Sequence, residues 1–286
     1  MIGSGVRSQA VSLLPRRLGQ HFLADGSYAA RIVRAAHIST DDMVVEVGPG
    51  RGALTNIMVQ QRPRFLVLVE FDPELADGLK RRYAGHDWVR VVEGDARTVD
   101  PARLPGIEDV PYKLVGNLPY YAASPIVRNF LESSRPPTVM VVMVQKEVAA
   151  EMTALPGEMG LMSIGVQTFA DAERLFDVPP SAFRPPPKVV SAVVRLTALA
   201  QPRVEPGSRE SFFELVRAGF RAPRKQMRNS LMMGLEITGE SASSVLVAAG
   251  VDASRRAATL SLDEWGAIYG AWRAAPSRTP DAVPGQ

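Results

Sequence analysis

Between residues 43 and 145 short apolar runs alternate with stretches of helical periodicity, and few folds accommodate that pattern. Residues 43–47, 65–69, 88–92, 113–115 and 139–144 are rich in Val and Leu with little polar alternation. Such runs predict parallel strands covered on both faces. Residues 53–61, 73–83 and 125–133 lie between them as predicted helices. Pro73 suits a first helical turn directly after Asp72, a residue type that caps helices well. The alternation predicts an α/β fold with a doubly wound parallel sheet.

The pattern then changes. Residues 169–178 and 189–196 are predicted to pair antiparallel across the proline-rich turn 179–187. Residues 201–206 read as a linker, and 208–220, 224–233, 241–249 and 262–274 as helices. Ser241 and the capping-box pattern Ser261-x-x-Glu264 mark helical starts. A chain of 286 residues suggests about two domains at roughly 150 residues each. The expected division is a sheet domain over 1–200 with a basic arm over 1–20, a helical domain over 207–274, and a fraying Pro, Ser and Gly tail over 275–286.

Composition removes several function classes. There is no cysteine, which excludes disulfides, thiolate nucleophiles and Cys-ligated metals. His21, His37 and His86 are scattered, without the spacing of a metal site, so no metal is expected. The apolar run 139–144 is far short of the roughly 20 residues that span a bilayer. Residues 1–17 lack a signal-peptide core, so no membrane association and a cytoplasmic location are expected. Nothing in the sequence suggests an obligate dimer, and a monomer is expected. Net charge is only +3, but the surplus is clustered: residues 1–24 hold three arginines and no acid. Arg221, Arg224, Lys225 and Arg228 form a second patch without an acid. Such patches suit a polyanion partner, although a solvated helix face reads the same way.

The first predicted strand runs into Glu46-Val47-Gly48-Pro49-Gly50-Arg51-Gly52. A Gly-rich turn at that place lets backbone approach a ligand at the sheet's carboxyl end. The spacing is G-x-G-x-G, not the G-x-G-x-x-G of dinucleotide enzymes. Glu70 ends the second strand, where a carboxylate accepts from ribose hydroxyls, and Asp95 follows the third, where one accepts from an adenine amine. Each acid alone is an ordinary turn or capping residue. Glu46, Glu70 and Asp95 together suit a ligand with ribose, adenine and a cationic amino-acid tail, which is S-adenosyl-L-methionine. A dinucleotide would bring a pyrophosphate that three acids repel.

The fourth strand ends in Asn117-Leu118-Pro119-Tyr120. A strand-ending turn is one reading, because Asn and Pro are common there. The other is methylation of an exocyclic adenine amine, whose lone pair is delocalised into the ring. Acceptors on its two N–H bonds draw that nitrogen toward tetrahedral geometry and stabilise the charge formed during attack. The Asn117 side-chain oxygen supplies one, and the carbonyl of Leu118 or Pro119 the other. Tyr120 offers a face for stacking. No strong base is required, because the alkylated nitrogen is acidic.

Seven segments together carry a resemblance. They are 18–23 (LGQHFL), 46–50 (EVGPG), 69–72 (VEFD), 94–96 (GDA), 117–120 (NLPY), 145–148 (QKEV) and 180–189 (PSAFRPPPKV). In this order the chain resembles the ribosomal-RNA adenine N6-dimethyltransferases, most closely the small-subunit (16S-type) branch. The resemblance implies a Rossmann-like S-adenosylmethionine-dependent methyltransferase sheet with a small C-terminal all-helical domain. It also implies transfer of two methyls to each of two adjacent adenines, in a hairpin near the 3′ end of small-subunit rRNA. Cofactor contacts carry over to His21, Leu23, Gly48, Glu70, Asp95 and Asn117, alongside Glu46, Gly50 and Ala96 of the same segments. The family usually has Asn where His21 stands; imidazole still donates or accepts. Phe183 becomes a second aromatic for the extruded adenine, or else a core or hinge aromatic.

Residues 224–231 resemble the basic helix of the small-subunit branch, whose charges would meet phosphates of the rRNA or the assembling 30S particle. Large-subunit (23S) resistance methylases match the first domain equally well, but more often carry Ile where Leu118 stands. Residues 260–265 (LSLDEW) also fit the small-subunit branch better. A DNA adenine methylase shares the tetrapeptide, yet no DNA-recognition domain is evident. A non-catalytic ribosome assembly factor would not need Asn117, Pro119 and Tyr120 intact.

Overall fold

The computed structural model describes residues 21–108, 110–203 and 209–275. The arm over 1–20, with the first residues of the 18–23 segment, lies outside them, as do the end of the expected linker and the tail beyond 275. The strands are β1 Phe22–Leu23, β2 Met43–Val47, β3 Phe65–Glu70, β4 Val89–Glu93, β5 Tyr112–Asn117, β6 Val139–Gln145, β7 Ala170–Val178, β8 Phe183–Arg184 and β9 Ser191–Ala198. The helices are α1 Gly26–Ala35, α2 Thr55–Gln61, α3 Pro73–Arg82, α4 Ala123–Leu131, α5 Lys146–Met152, α6 Leu161–Gln167, α7 Arg209–Gly219, α8 Met227–Leu235, α9 Gly239–Ala248 and α10 Leu262–Ala274.

Seven strands form one sheet in the order β4-β3-β2-β5-β6-β9-β7. The five from β4 to β6 run parallel, with Val47 beside Val69 on one side and Gly116 on the other. β9 lies antiparallel to both β6 and β7. The α/β fold predicted from the alternation is the fold observed. Successive side chains of each parallel strand point to opposite faces, and both faces are covered. Met43, Val45, Val47, Val67, Val69, Met140 and Val142 enter one core with Ile126, Phe130 and Ile164 of α4 and α6. Val44, Leu66, Leu68, Val115 and Val141 enter the other, with Ile32, Met58 and Leu79 of α1, α2 and α3. Double coverage is why these strands show no polar alternation in sequence. Phe130 is fully buried at the first interface, so its truncation to Ala costs ~3–5 kcal/mol.

The first core continues into the helices after residue 209. Phe212, Trp265 and Ile268 belong to it, and Phe169 beside β7 packs its ring 6.3 Å from that of Phe213. α10 begins on the expected capping box, Ser261 and Glu264 each bonding the other's backbone N–H. Two starts differ from expectation. Thr238, not Ser241, caps α9, accepting from the Ser241 N–H at 3.1 Å. α8 begins at Met227 rather than 224, because Gln226 is extended and serves as the N-cap position. α1, α5, α6 and the β1–β8 ribbon were not foreseen from the sequence.

Candidate functional site

Strand order reverses about β2: β3 and β4 follow on one side of it, β5 and β6 on the other. The carboxyl ends of β2 and β5 flank that switch point, where open α/β sheets bind ligands. Beyond Val47 the chain must turn at once. Gly48 and Gly50 adopt φ of +67° and +54°, in the left-handed region that favours glycine. A Cβ on Gly48 would approach the Asn117 carbonyl oxygen to 3.4 Å, and one on Gly50 would press to 3.2 Å from the Phe22 ring. The turn is a backbone-lined cradle between the two strand ends.

The three acids expected at this edge have different surroundings. Glu70, the last residue of β3, accepts the Gly50 N–H at 2.9 Å through Oε2 and the Asp72 N–H at 3.0 Å through Oε1. Phe71 adds a third backbone hydrogen bond, so of about four acceptor positions on a carboxylate roughly one remains open. Burial pushes its pKa up against the pull of those backbone bonds. Asp95 sits in the loop after β4, fixed to its neighbour by the Gly94 N–H on the Glu70 carbonyl at 2.9 Å. Its carboxylate is clasped by Arg97, whose hydrogen bonds hold it below its ordinary pKa. Ala96 beside it is buried, its carbonyl accepting from Asn129 on α4 at 3.2 Å.

Glu46 is the more enclosed of the two buried acids. It is only 1% exposed and accepts the Thr55 hydroxyl at 2.6 Å, roofed by the start of α2. Burial pushes its pKa up, to about 8. In this structure its side-chain contact is with the fold, through Thr55.

On the other side of the cradle, Asn117 ends β5 half-buried. Its Nδ2 makes a long contact of 3.5 Å to the His21 carbonyl, which engages the donor end of the amide and leaves Oδ1 as acceptor. Leu118 is buried, its N–H donating to the Met143 carbonyl at 3.1 Å. The Pro119 carbonyl accepts from the Ala122 N–H at 2.9 Å. Of the two carbonyls considered, that of Leu118 is therefore the better placed to take a substrate N–H. The Tyr120 hydroxyl bonds the Ser191 hydroxyl at 2.7 Å, which fixes the ring, and burial raises its pKa. His21 joins the group through Nδ1, 2.8 Å from the Pro185 carbonyl, with its ring 6.0 Å from Tyr120.

Phe183 does not stand beside Tyr120 as an open platform. Its pairing with Leu23 in the β1–β8 ribbon turns it into the second core, where it is 1% exposed and Leu23 is buried with it. In this structure Phe183 is a core aromatic. Phe71 went unremarked in the sequence although it directly follows Glu70; it is 60% exposed and puts an apolar face at the rim. An aromatic between a strand-ending acid and a helix cap was the available signal.

Arg221, Arg224 and Lys225 are exposed in the turn between α7 and α8. Arg228 is not free with them. Its Nε donates to the Gly239 carbonyl at 3.2 Å and to the Ser243 hydroxyl at 2.9 Å, tying α8 to α9. Residues 224–226 precede the helix, so the expected basic helix is a basic turn followed by a helix. Among the described residues no cluster of three or more metal-ligating side chains occurs, and no helix is long and apolar enough to cross a membrane.

The comparisons converge. The family profile described as ribosomal RNA adenine dimethylase matches residues 12–269. Ribosomal RNA small subunit methyltransferase A of Dehalococcoides mccartyi (strain CBDB1) is 42% identical over 248 residues, covering 87% of this chain and 84% of that protein. The protein of the same name from Alkaliphilus metalliredigens (strain QYMF) is 39% identical over 258 residues, 88% of this chain and 90% of its own. Among solved structures, the 23S rRNA methyltransferase ErmE superposes with a TM-score of 0.69 at 28% identity, over 88% of this chain and 99% of that one. A dimethyladenosine transferase from Plasmodium falciparum gives 0.72 at 23% identity, over 87% and 96%, a likeness of fold.

Proposed function

The chain belongs to the ribosomal RNA adenine dimethylase family, and on that premise we propose that it dimethylates N6 of two adjacent adenines in a hairpin near the 3′ end of small-subunit rRNA. One observation carries the reading: the end of β5 lies against the glycine cradle that ends β2, with the Asn117 backbone carbonyl 3.4 Å from where a Cβ on Gly48 would stand, and there Asn117 Oδ1 and the Leu118 carbonyl are the two acceptors for an amine. The relatives named for the small subunit match at 39% and 42% identity over nearly the whole chain, which favours that rRNA over the large-subunit alternative.

S-adenosyl-L-methionine supplies an electrophilic methyl on a sulfonium. The residues present fit such a donor. Gly48 and Gly50 admit it by having no side chain, Glu70 keeps an acceptor position for a ribose hydroxyl, and Phe71 offers an apolar face beside it. Asp95 and Ala96 flank the adenine end, and His21, just before the ribbon, borders the site beside Tyr120 with Leu23 packed behind it. Asn117 Oδ1 and the Leu118 carbonyl accept the two N–H bonds of the target amine, aim its lone pair at the cradle and stabilise the positive charge that develops. Tyr120, its hydroxyl fixed by Ser191, holds the base by stacking. The proton of the alkylated nitrogen leaves to solvent.

The expected division remains the reading of the chain: a catalytic domain over 1–200 and a helical domain over 207–274. Arg221, Arg224 and Lys225 meet phosphates of the rRNA or of the assembling 30S particle. A cytoplasmic monomer is sufficient for this chemistry. The test gives purified protein and labelled donor small ribosomal subunits, large-subunit rRNA and duplex DNA in parallel. Label is expected on the small-subunit rRNA alone; label on large-subunit RNA or DNA instead would replace this reading.

A further inference from the structure

Asp95 and Glu70 stand side by side, yet only one of them has room for a ligand. Arg97 meets the Asp95 carboxylate through its backbone N–H to Oδ1 at 2.9 Å, Nε to Oδ1 and Oδ2 at 3.0 Å each, and Nη2 to Oδ2 at 2.6 Å. About four acceptor positions are thereby filled by one residue. An incoming amine must displace a guanidinium contact before it can use this carboxylate.

The displacement is small. The two side chains are 42% and 25% exposed, and ion pairs of that exposure are worth only a factor of ~2 to 5 in an equilibrium. The loop backbone need not move with the side chain. Gly94 is bonded to Glu70, the Thr98 N–H donates to the Asp95 carbonyl at 2.9 Å, and Ala96 is anchored from α4. Only the guanidinium swings. The loop also lies beside the substrate turn: Ala96 is bonded from Asn129 on α4, and that helix begins two residues after Tyr121, which is 72% exposed and follows the substrate-facing Tyr120. Arg97 thus holds the acid proposed to read the donor's adenine, on a loop anchored to the helix that begins just after the substrate-facing turn.

We propose that Arg97 couples the two ligands: the adenine amine of the donor takes over Asp95, and the released guanidinium contacts an RNA phosphate beside Tyr121. This rests on the adenine-reading role of Asp95 given above. A bidentate planar cation suits both a carboxylate and a phosphate, so a single side chain serves either partner in turn. Linkage makes the effect reciprocal, RNA tightening the donor by the factor with which the donor tightens RNA.

The experiment measures binding of S-adenosylhomocysteine and of unmethylated small ribosomal subunits, each with and without the other, for the full-length wild type and for Arg97→Ala. In the wild type each ligand is expected to tighten the other about threefold. In R97A, S-adenosylhomocysteine alone binds about threefold tighter and the coupling vanishes. S-inosylhomocysteine, with oxygen in place of the amine, is expected to give no coupling in the wild type. Retained coupling in R97A, equal coupling with the inosine analogue, or no gain in donor affinity overturns the role of Arg97. A wild type that binds no S-adenosylhomocysteine overturns the cofactor reading itself, so the two failures are distinct.

Discussion

The two ends of the central sheet differ in how fully their polar groups are satisfied. At the amino end of β5 and β6 lies a cavity of about 270 Å³ lined by Ala35, His37, Lys113, Val139, Glu173 and Arg195 among others. Its named cations are committed: Lys113 Nζ lies 2.8 Å from Asp42 and donates to the His37 carbonyl, and Arg195 pairs with Glu173 at 2.6 Å. At the carboxyl end Glu70 keeps an acceptor position, Asn117 Oδ1 is left as an acceptor by a long contact on its other side, and two glycines hold left-handed backbone. At the amino end the named ion pairs satisfy each other; at the carboxyl end Asp95 and Glu46 are likewise satisfied by Arg97 and Thr55, and the open capacity is confined to Glu70 and Asn117 Oδ1. A concave surface alone does not mark function; unfilled hydrogen-bonding capacity on a fixed backbone does.

Substitutions should separate the ends, and the largest effect belongs to Asn117. Asn117→Ala removes an acceptor that acts on developing charge, so methyl transfer should fall by a factor of ~10²–10³. Binding to small ribosomal subunits should persist. Single-turnover transfer of labelled methyl checks the first and a binding titration the second; a rate within a fewfold of wild type would place the chemistry elsewhere.

Glu70→Gln comes next. It keeps the shape but loses the charge, and one of its two ends becomes a donor facing a backbone N–H of Gly50 or Asp72. Hydrogen bonds to a charged acceptor are worth ~1.5–3 kcal/mol, so calorimetry should show S-adenosylhomocysteine binding weakened about tenfold or more. Neutralising Arg224 and Lys225 together is a smaller change, made far from the chemistry. It should lower affinity for the small subunit uniformly and reduce the salt slope by ~1–2, about one for each phosphate left without its cation. Arg228→Ala should instead loosen α8 from α9, because its side chain binds Gly239 and Ser243.

How much of this was legible in the sequence depended on the range of the contacts. The parallel strands announced themselves because double coverage writes continuous apolar runs. The glycine cradle, Glu70 and Asn117 were legible because each ends a strand. α5 was missed because Gln145 ends β6 and begins the helix with no Gly or Pro between. The β1–β8 ribbon was missed because its two residue pairs join distant segments and leave no local period. That ribbon is also what buries Phe183, so an aromatic that reads as a stacking platform becomes core. Glu46 and Glu70 look alike along the chain. Only the folded structure shows Thr55 over Glu46 and open capacity on Glu70.

The smallest functional effect is expected at the amino end, where Lys113→Met provides the complementary test. Burial pushes the Asp42 carboxyl up, but hydrogen bonds from Lys113 and Ser39 outweigh it and hold the pKa below the usual 3.8. A carboxylate with a depressed folded pKa contributes stability above its unfolded pKa, and that contribution is lost as pH falls through the folded value. Lys113→Met should therefore cost ~1 kcal/mol at pH 7, a figure kept low because the pair is partly exposed. The difference from wild type should shrink as pH falls below about 4 and Asp42 takes a proton in both proteins. Urea midpoints at pH 7 and pH 3.5 measure it. Methyl transfer per folded molecule should not change, because the cavity lies at the opposite end of the sheet from Asn117. Should Lys113→Met slow transfer while leaving the urea midpoint at its wild-type value, charge pairing would no longer distinguish the structural end from the chemical one.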